Sequence, residues 1–323
     1  MYDLIIIGGS AAASTAGIYA TRRRLNFKII TKEFGGEVAT SGEIGNWPGQ
    51  IHADGIKLAR EFKDHLKSYG VEPEEGVWVQ KVAKTKEDNF CITTMKDGQP
   101  AMAADKLDGM DEAALKCDYE AKAVIIATGV HPRMLDVPGE KEYRNKGVSY
   151  CTTCDGPLFP GKVVATIGGG NGALESAIML AGIASKVYLI NKNPKFKGDD
   201  ILVEKIQSLP NVEVIYGALT VEIKGEQFVN GMKYKDQNGE IKELPIDGAF
   251  IHIGNTPNSD IAPDNVEKNM FGNIIVNGRC ETNIPGLYAA GDVTDVAFKQ
   301  IVIAAGQGCI ATLSAVEYLD RRS

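Results

Sequence analysis

The amino-acid sequence predicts an α/β protein made of two doubly wound, Rossmann-like nucleotide-binding domains, one of them interrupted by the other. Three observations predict it. A buried strand, a glycine turn, a helix and a second strand follow one another at the start of the chain, and the same succession returns at Lys162. Further apolar runs that end in small residues lie at Val124–Gly129 and Phe250–Gly254. The length of 323 residues suits two domains rather than one, since domains run to about 100–200 residues.

Tyr2–Ile7 is an apolar run of strand length, and Gly8-Gly9-Ser10 is a tight turn. Ala11–Arg23 reads as a helix. Arg22, Arg23 and Arg24 stand at its C-terminal end, where cations suit the helix dipole and water, so they are not read as a targeting or nucleic-acid signal. Phe27–Thr31 is the next strand. Phe90–Thr94 and a segment near Tyr119 read as strands on either side of the polar, acidic stretch Asp97–Asp118, which reads as a surface loop or short helix rather than a docking insertion. Val124–Ile126 is a buried strand ending in Ala127-Thr128-Gly129. Lys162–Ile167, Gly168-Gly169-Gly170, Asn171–Ala181 and Lys186–Ile190 rebuild the opening unit. Pro132 and Pro257 are placed in turns just after strands and mark the crossings. Residues 1–133 and 256–323 thus form one discontinuous domain, and residues 134–255 the inserted one. Gly286–Ala290 runs as a strand into Gly291-Asp292, and Gln300–Leu319 is a long closing helix.

A hydrophobic fraction of 44% is enough for well-formed cores, and a net charge of −7 argues against a nucleic-acid or anionic-membrane surface. The apolar Met1–Gly8 stretch is short and has no basic segment before it, so it reads neither as a signal peptide nor as a membrane span. Six cysteines do not make a secreted scaffold in a chain of this length; a reducing cytoplasm fits better.

Cys151-Thr152-Thr153-Cys154-Asp155-Gly156 has the spacing of a reversible dithiol/disulfide, and a nucleotide-type glycine loop follows at Gly168. That juxtaposition points to electrons passing from a cofactor to a disulfide. A zinc half-site is the alternative, but it needs two more ligands. Cys91, Cys117, Cys280 and Cys309 form no second close pair in the sequence, and the four histidines make no cluster with them.

The loop Gly168-x-Gly170-x-x-Ala173 follows the dinucleotide pattern, in which a pyrophosphate sits over a helix N-terminus. The first loop, Gly8-x-Ser10-x-x-Ala13, is degenerate, and alone it also fits a strand–helix turn with no ligand. The C-terminal end shifts that balance. Asp292 is placed to accept a hydrogen bond from a ribityl hydroxyl. A helix starting near Gln300-Ile301 would stabilise the reduced, anionic form of a flavin at its N-terminus.

Taken together, these motifs resemble those of the low-molecular-weight thioredoxin reductases, over essentially the whole chain. The match rests on Gly8-Gly9, Gly35-Gly36, Asn46-Trp47-Pro48-Gly49, Ala127-Thr128-Gly129, Cys151-x-x-Cys154-Asp155-Gly156, Gly168-Gly169-Gly170, Gly254-Asn255-x-Pro257-Asn258 and Gly291-Asp292, in matching order and spacing. The resemblance implies FAD held by the discontinuous domain through Gly8, Ser10, Ala11, Ala12, Gly35, Gly36, Glu37, Asn46, Ala127, Thr128, Gly129, Gly291, Asp292, Lys299, Gln300 and Ile301. It implies NADPH in the inserted domain, on Gly168, Gly170, Asn171, Gly172, Ala173, Glu175, Lys192, Lys197 and Gly254. Hydride would pass from nicotinamide to flavin, and the flavin would reduce a Cys151–Cys154 disulfide, with the Cys154 sulfur nearer the flavin. Asp155 matches the acid that manages protons; an acid that merely caps the next turn is its alternative. The dithiol would then reduce a thioredoxin or a glutaredoxin-like protein through a mixed disulfide, with a peroxiredoxin or a small-molecule dithiol oxidised by oxygen as the alternative end of the chain. The resemblance also implies a homodimer through the FAD domains, and rotation of the inserted domain about hinges near Pro132–Asp136 and Gly254–Asn258.

Three departures stand out. The family's arginine-rich 2′-phosphate site is replaced by Asn191-Lys192-Asn193-Pro194-Lys195-Phe196-Lys197, and lysine lacks arginine's bidentate fork. No Asp or Glu ends the Lys186–Ile190 strand to grip a free 2′-hydroxyl, so NADPH is favoured, with NADH or a ferredoxin-type donor as alternatives. Glu37-Val38 stands where Gln-Leu is usual; facing the flavin, Glu37 would lower its potential, and facing water it would do nothing. Ser10 and Ala13 replace two glycines, and Lys299 replaces an arginine.

Overall fold

The computed structural model describes residues 1–41, 43–44, 46–51, 53–96, 117–144, 146–150 and 152–322, with only the backbone of residues 43, 96, 153 and 154. The stretch Asp97–Asp118, apart from its last two residues, lies outside the described residues. The chain forms two compact units, Met1–His131 with Thr256–Ser323, and Pro132–Asn255. The first crossing falls two residues before the expected boundary after Arg133. Pro132 and Pro257 are not in turns: they end the short strands Val130–Pro132 and Asn255–Pro257, which pair with each other. Proline lacks the N–H that a longer ladder would need, which keeps such strands short.

In the first unit, six strands form one sheet. Its order is Phe27–Ile30, Tyr2–Ile7, Tyr119–Ile126, Phe90–Lys96, Val77–Lys84, with Leu287–Ala289 also on Tyr119–Ile126. The strand near Tyr119 and the strand at Val124 are one element. Its first half pairs antiparallel with Phe90–Lys96 and its second half parallel with Leu287–Ala289. Alternation along Tyr2–Ile7 assigns the two faces. Ile5 and Ile7 join Val82, Phe90, Val124 and Ile126 on one side. Leu4 and Ile6 join Ala12, Ala16, Leu66, Ala311 and Ala315 on the other, under the helices Ala11–Arg22, Gly55–Ser68 and Ile301–Asp320. By length and composition Ile301–Asp320 is apolar enough to cross a membrane. Its Gly308 and Thr312 nevertheless lie against Ala12 and Ala16, with Thr312 Oγ1 donating to Ala16 O at 3.2 Å, so one face of it packs into this unit's core.

The second unit has a five-stranded parallel sheet in the order Val212–Tyr216, Lys186–Asn191, Val163–Ile167, Gly248–Ile251, Val148–Ser149. Val164, Leu189 and Phe250 face the helices Asn171–Ala181 and Asp200–Gln207. Ala165, Ile167 and Ile251 face the three-stranded antiparallel sheet Leu219–Gly225, Val229–Lys235, Ile241–Leu244. Just past the crossing, the fully buried Glu140 accepts from Leu135 N, Asp136 N and Tyr150 Oη, each at 2.7 Å. The later part of the segment expected as a hinge is therefore fastened to this unit's own fold.

Candidate cofactor and redox sites

Gly8 shows why the first loop keeps a glycine at its first place. Its φ is +139°, and a Cβ there would stand 2.2 Å from Ala127 O. The end of Tyr2–Ile7 and the Ala127-Thr128-Gly129 turn approach closely enough only because that side chain is missing. Around this contact the structure gathers the residues expected to hold FAD. Gly35 N donates to Gly9 O at 2.7 Å, and Gly36 lies against Ser10. Gly291 packs between Ala12 and Ala304, and its N–H donates to Gln307 Oε1 at 2.8 Å. Asn46 Nδ2 donates to Gln300 Oε1 at 3.0 Å, and Ile301 packs against the small cluster around Val38 and Leu58. Thr128 and Gly129 are clamped by Asn258: Thr128 Oγ1 donates to Asn258 O at 2.7 Å, Asn258 Nδ2 to Thr128 O at 2.8 Å, and Asn258 N to Gly129 O at 3.0 Å.

Two helices begin here without a side-chain cap, at Ser10 and at Gln300, and neither has an acid in its first turn. Their first N–H groups are therefore open to an anion or a polar ring edge. Ser14 Oγ, one turn into the first helix, is buried and has no hydrogen-bond partner. These open donors at the helix starts fit an anionic group such as a dinucleotide's pyrophosphate. The acids nearby titrate high. Burial pushes the Glu37 carboxyl up, with Asp292 adding to the effect, and burial pushes Asp292 up while Lys299 opposes it. Glu37 is exposed as a residue, but its carboxyl is desolvated and shares Asp292's field rather than standing alone in water. Lys299 donates to Thr294 O at 2.5 Å, and burial lowers its ammonium below the usual range.

The second glycine loop repeats the design. Gly168 has φ +148°, and a Cβ would stand 2.0 Å from His252 O. Gly170 and Gly172 have open space around them, and Gly170 caps the helix Asn171–Ala181 without a side-chain bond. Asn171 exchanges two hydrogen bonds with Asp199, Nδ2 to Oδ2 at 2.9 Å and Asp199 N to Oδ1 at 2.8 Å. Glu175, one turn further along, is pushed up by burial and then by Asp199. Lys192 and Lys197 are exposed on the loop after Lys186–Asn191, and Lys197 N donates to Gly169 O at 2.7 Å. Asn191 ends that strand at 1% exposure and is occupied locally: Oδ1 accepts from Asn193 N at 3.0 Å and Nδ2 donates to Lys195 O at 3.0 Å. Gly254, with φ +101°, accepts at its carbonyl from Arg133 N.

Cys151 lies outside the described residues. Cys154 and Asp155 belong to the one-turn helix Thr152–Asp155, followed by a 3-10 turn at Gly156–Leu158. Asp155 heads that turn without a side-chain cap bond among the described residues. Among the described residues no group of His, Cys, Asp and Glu could hold a metal ion. Sequence reasoning did not find Asn258 as a clamp, nor Thr152, Ser176 and His252 as partners. Their pairings span long stretches of chain, and nothing local marks them.

The model of the family described as pyridine nucleotide-disulphide oxidoreductase matches residues 2–308. Among solved structures, the thioredoxin reductase of T. acidophilum is 38% identical, with a TM-score of 0.82, over 100% of this chain and 99% of that one. The alkyl hydroperoxide reductase F protein of Pseudomonas aeruginosa is 41% identical, and a protein named NADH dehydrogenase from Ferdinandcohnia aciditolerans 39%, each over 100% of this chain. The chain spans 59% and 58% of those two relatives' own lengths. With its two nucleotide-type units and the fold of the low-molecular-weight thioredoxin reductases, the chain belongs to the pyridine nucleotide-disulphide oxidoreductase family.

Proposed function

We propose that the protein is an FAD-dependent thioredoxin-disulfide reductase that carries electrons from NADPH to the disulfide of a thioredoxin or glutaredoxin-like protein. One observation carries the reading. The turn bearing Cys154 and Asp155 is fastened to the glycine-loop helix of its own unit, through Thr152 and Ser176. The turn of the redox motif and the nucleotide loop thus belong to one unit. FAD, when bound, supplies the two-electron relay between a nicotinamide hydride and a disulfide. Gly8, Ser10, the start of Ala11–Arg22 and the Asn46–Gln300 pair are the residues to hold it in the first unit. The open helix start at Gly170–Gly172 is the seat for the nucleotide pyrophosphate in the second.

The overall balance is NADPH, a proton and a disulfide giving NADP⁺ and a dithiol. Cys151 and Cys154 take up the electron pair, and Asp155 holds or delivers the proton as thiolate and thiol interconvert. The dithiol then attacks the partner disulfide by exchange, through a mixed disulfide. The exposed lysines Lys192 and Lys197 favour a 2′-phosphate, and no carboxylate ends the Lys186–Asn191 strand to bind a free ribose. A cytoplasmic setting and a homodimer through the first unit belong to the same reading.

A second reading is favoured by the relatives named alkyl hydroperoxide reductase F and NADH dehydrogenase: NADH as donor and a peroxiredoxin-type acceptor. The experiment is anaerobic stopped-flow flavin reduction with NADPH and NADH side by side, followed by turnover with thioredoxin and with a peroxiredoxin. Yellow protein bleached faster by NADPH is expected. Folded protein that takes up no FAD would sink both readings; bleaching by dithionite alone would remove both nicotinamide donors.

A further inference from the structure

His252 stands just after the strand Gly248–Ile251, next to the second glycine loop. Its N–H donates to Ile167 O at 2.8 Å, and its carbonyl occupies the space that a side chain at Gly168 would need. Its ring reaches elsewhere. Nε2 lies 2.7 Å from Thr152 Oγ1, and Thr152 Oγ1 lies 2.5 Å from Ser176 Oγ on the helix Asn171–Ala181. Ser176 Oγ continues to Thr166 Oγ1 at 3.4 Å. Thr152 is 6% exposed, Ser176 4% and Thr166 0%. This chain of hydroxyls ties Thr152 of the redox motif to the helix Asn171–Ala181, and among the described residues the imidazole is its terminus.

A helix of one turn has no stability of its own, because nucleation costs more than one turn of hydrogen bonds returns. Thr152–Asp155 must therefore be held by tertiary contacts. Among the described residues, the buried hydroxyl of Thr152 is a polar anchor at its near end. Burial lowers the ring of His252 to about 4, so the imidazole is neutral at physiological pH. A neutral ring offers one donor and one acceptor, and in either direction along the chain each hydroxyl proton is used once. A buried hydroxyl whose partner is removed has no water to turn to.

We propose that His252 is a positioning residue for the disulfide step: acting through Thr152, it holds the turn that carries Cys154 and Asp155 against the nucleotide-loop helix. The inference rests on the disulfide-reductase reading above and adds to it a residue outside the redox motif and outside the cofactor loops.

The test uses full-length, FAD-loaded protein, with the aryl disulfide DTNB as probe. His252→Phe keeps the ring volume and removes both nitrogens. His252→Gln keeps a polar atom near the position of Nε2. Small misplacements of a reacting group cost up to about 10²-fold, so His252→Phe is expected to lower DTNB turnover about tenfold more than it lowers flavin reduction by the nucleotide. His252→Gln is expected to recover most of that loss. Thr152→Val removes the bond to His252 and also the one to Ser176, so it should lose at least as much as His252→Phe, and the double variant should be no slower than Thr152→Val alone. Equal losses in both half-reactions, no recovery by Gln, or multiplicative losses in the double variant would each overturn the proposal. If His252→Phe does not fold, Thr152→Val with His252→Gln reads the same coupling. Wild-type protein without Cys154-dependent DTNB turnover overturns the functional reading and this inference together; active wild type with unaffected variants overturns the inference alone.

Discussion

Replacing Gly170 with alanine separates what the fold needs from what a ligand needs. Gly168, two residues earlier, cannot take a side chain: its φ is +148° and a Cβ would lie 2.0 Å from His252 O. Gly170 has φ −102° and ψ −178°, ordinary extended backbone for any residue, and a Cβ there meets no atom within 4 Å. Alanine at Gly170 gains about 0.4–1 kcal/mol through the less flexible unfolded chain and loses a similar amount as a poorer N-cap, so the apo fold is expected to keep its stability to within about 1 kcal/mol. The new methyl stands over the open N-terminus of Asn171–Ala181, where a pyrophosphate would take N–H bonds. Pushing the phosphates outward by the width of a methyl weakens one such charge-assisted bond, at about 1.5–3 kcal/mol, or roughly a 10- to 150-fold rise in nucleotide KM. The assay pairs thermal unfolding of the apoprotein with the nucleotide dependence of flavin reduction. An unchanged KM, or a clear fall in stability, would refute the reasoning. In the first case no phosphate approaches Gly170; in the second the glycine serves packing after all.

Cys154→Ser should remove disulfide turnover by on the order of 10³-fold or more while flavin reduction by the nucleotide continues; unchanged turnover would take the role from this sulfur. Glu37→Gln is expected to raise stability at neutral pH. The native carboxyl is held above its ordinary value by burial, so the folded state binds the proton more tightly than the unfolded chain and the ionised form costs stability above the folded pKa. That cost fades as pH falls toward the unfolded value of about 4.3, so melting temperatures of variant and parent should converge there; a difference constant from pH 4 to 8 would sink the assignment. Asn258→Ala removes the bond to Thr128 O and the 2.5 Å contact with His131 Nδ1, and should cost about 1–3 kcal/mol in chemical denaturation. It should also loosen FAD retention; equal flavin content after dialysis would mean that the clamp does not support the site.

Both strand–glycine–helix units were legible because their signals are local. Runs such as Ile5-Ile6-Ile7 and Val164-Ala165-Thr166-Ile167 bury both faces of a parallel strand, and the glycines after them sit where φ excludes other residues. The Asn171–Ala181 boundaries follow from the same logic, with the turn before and the small-residue end after. The paired strands at Pro132 and Pro257 were not legible, since three-residue strands carry no period to read.

By itself the sequence determined the two strand–glycine–helix units, the position of their glycine turns and the spacing of Cys151 and Cys154, because these depend on neighbours a few residues apart. Only the tertiary structure decided that Tyr119–Ile126 divides its edge between two strands, that Asn46 meets Gln300, that Asn191 is consumed by its own loop, and that His252 reaches Thr152. Such pairings join residues that are distant along the chain. Their geometry is set by where whole strands and helices pack, and no local propensity encodes that.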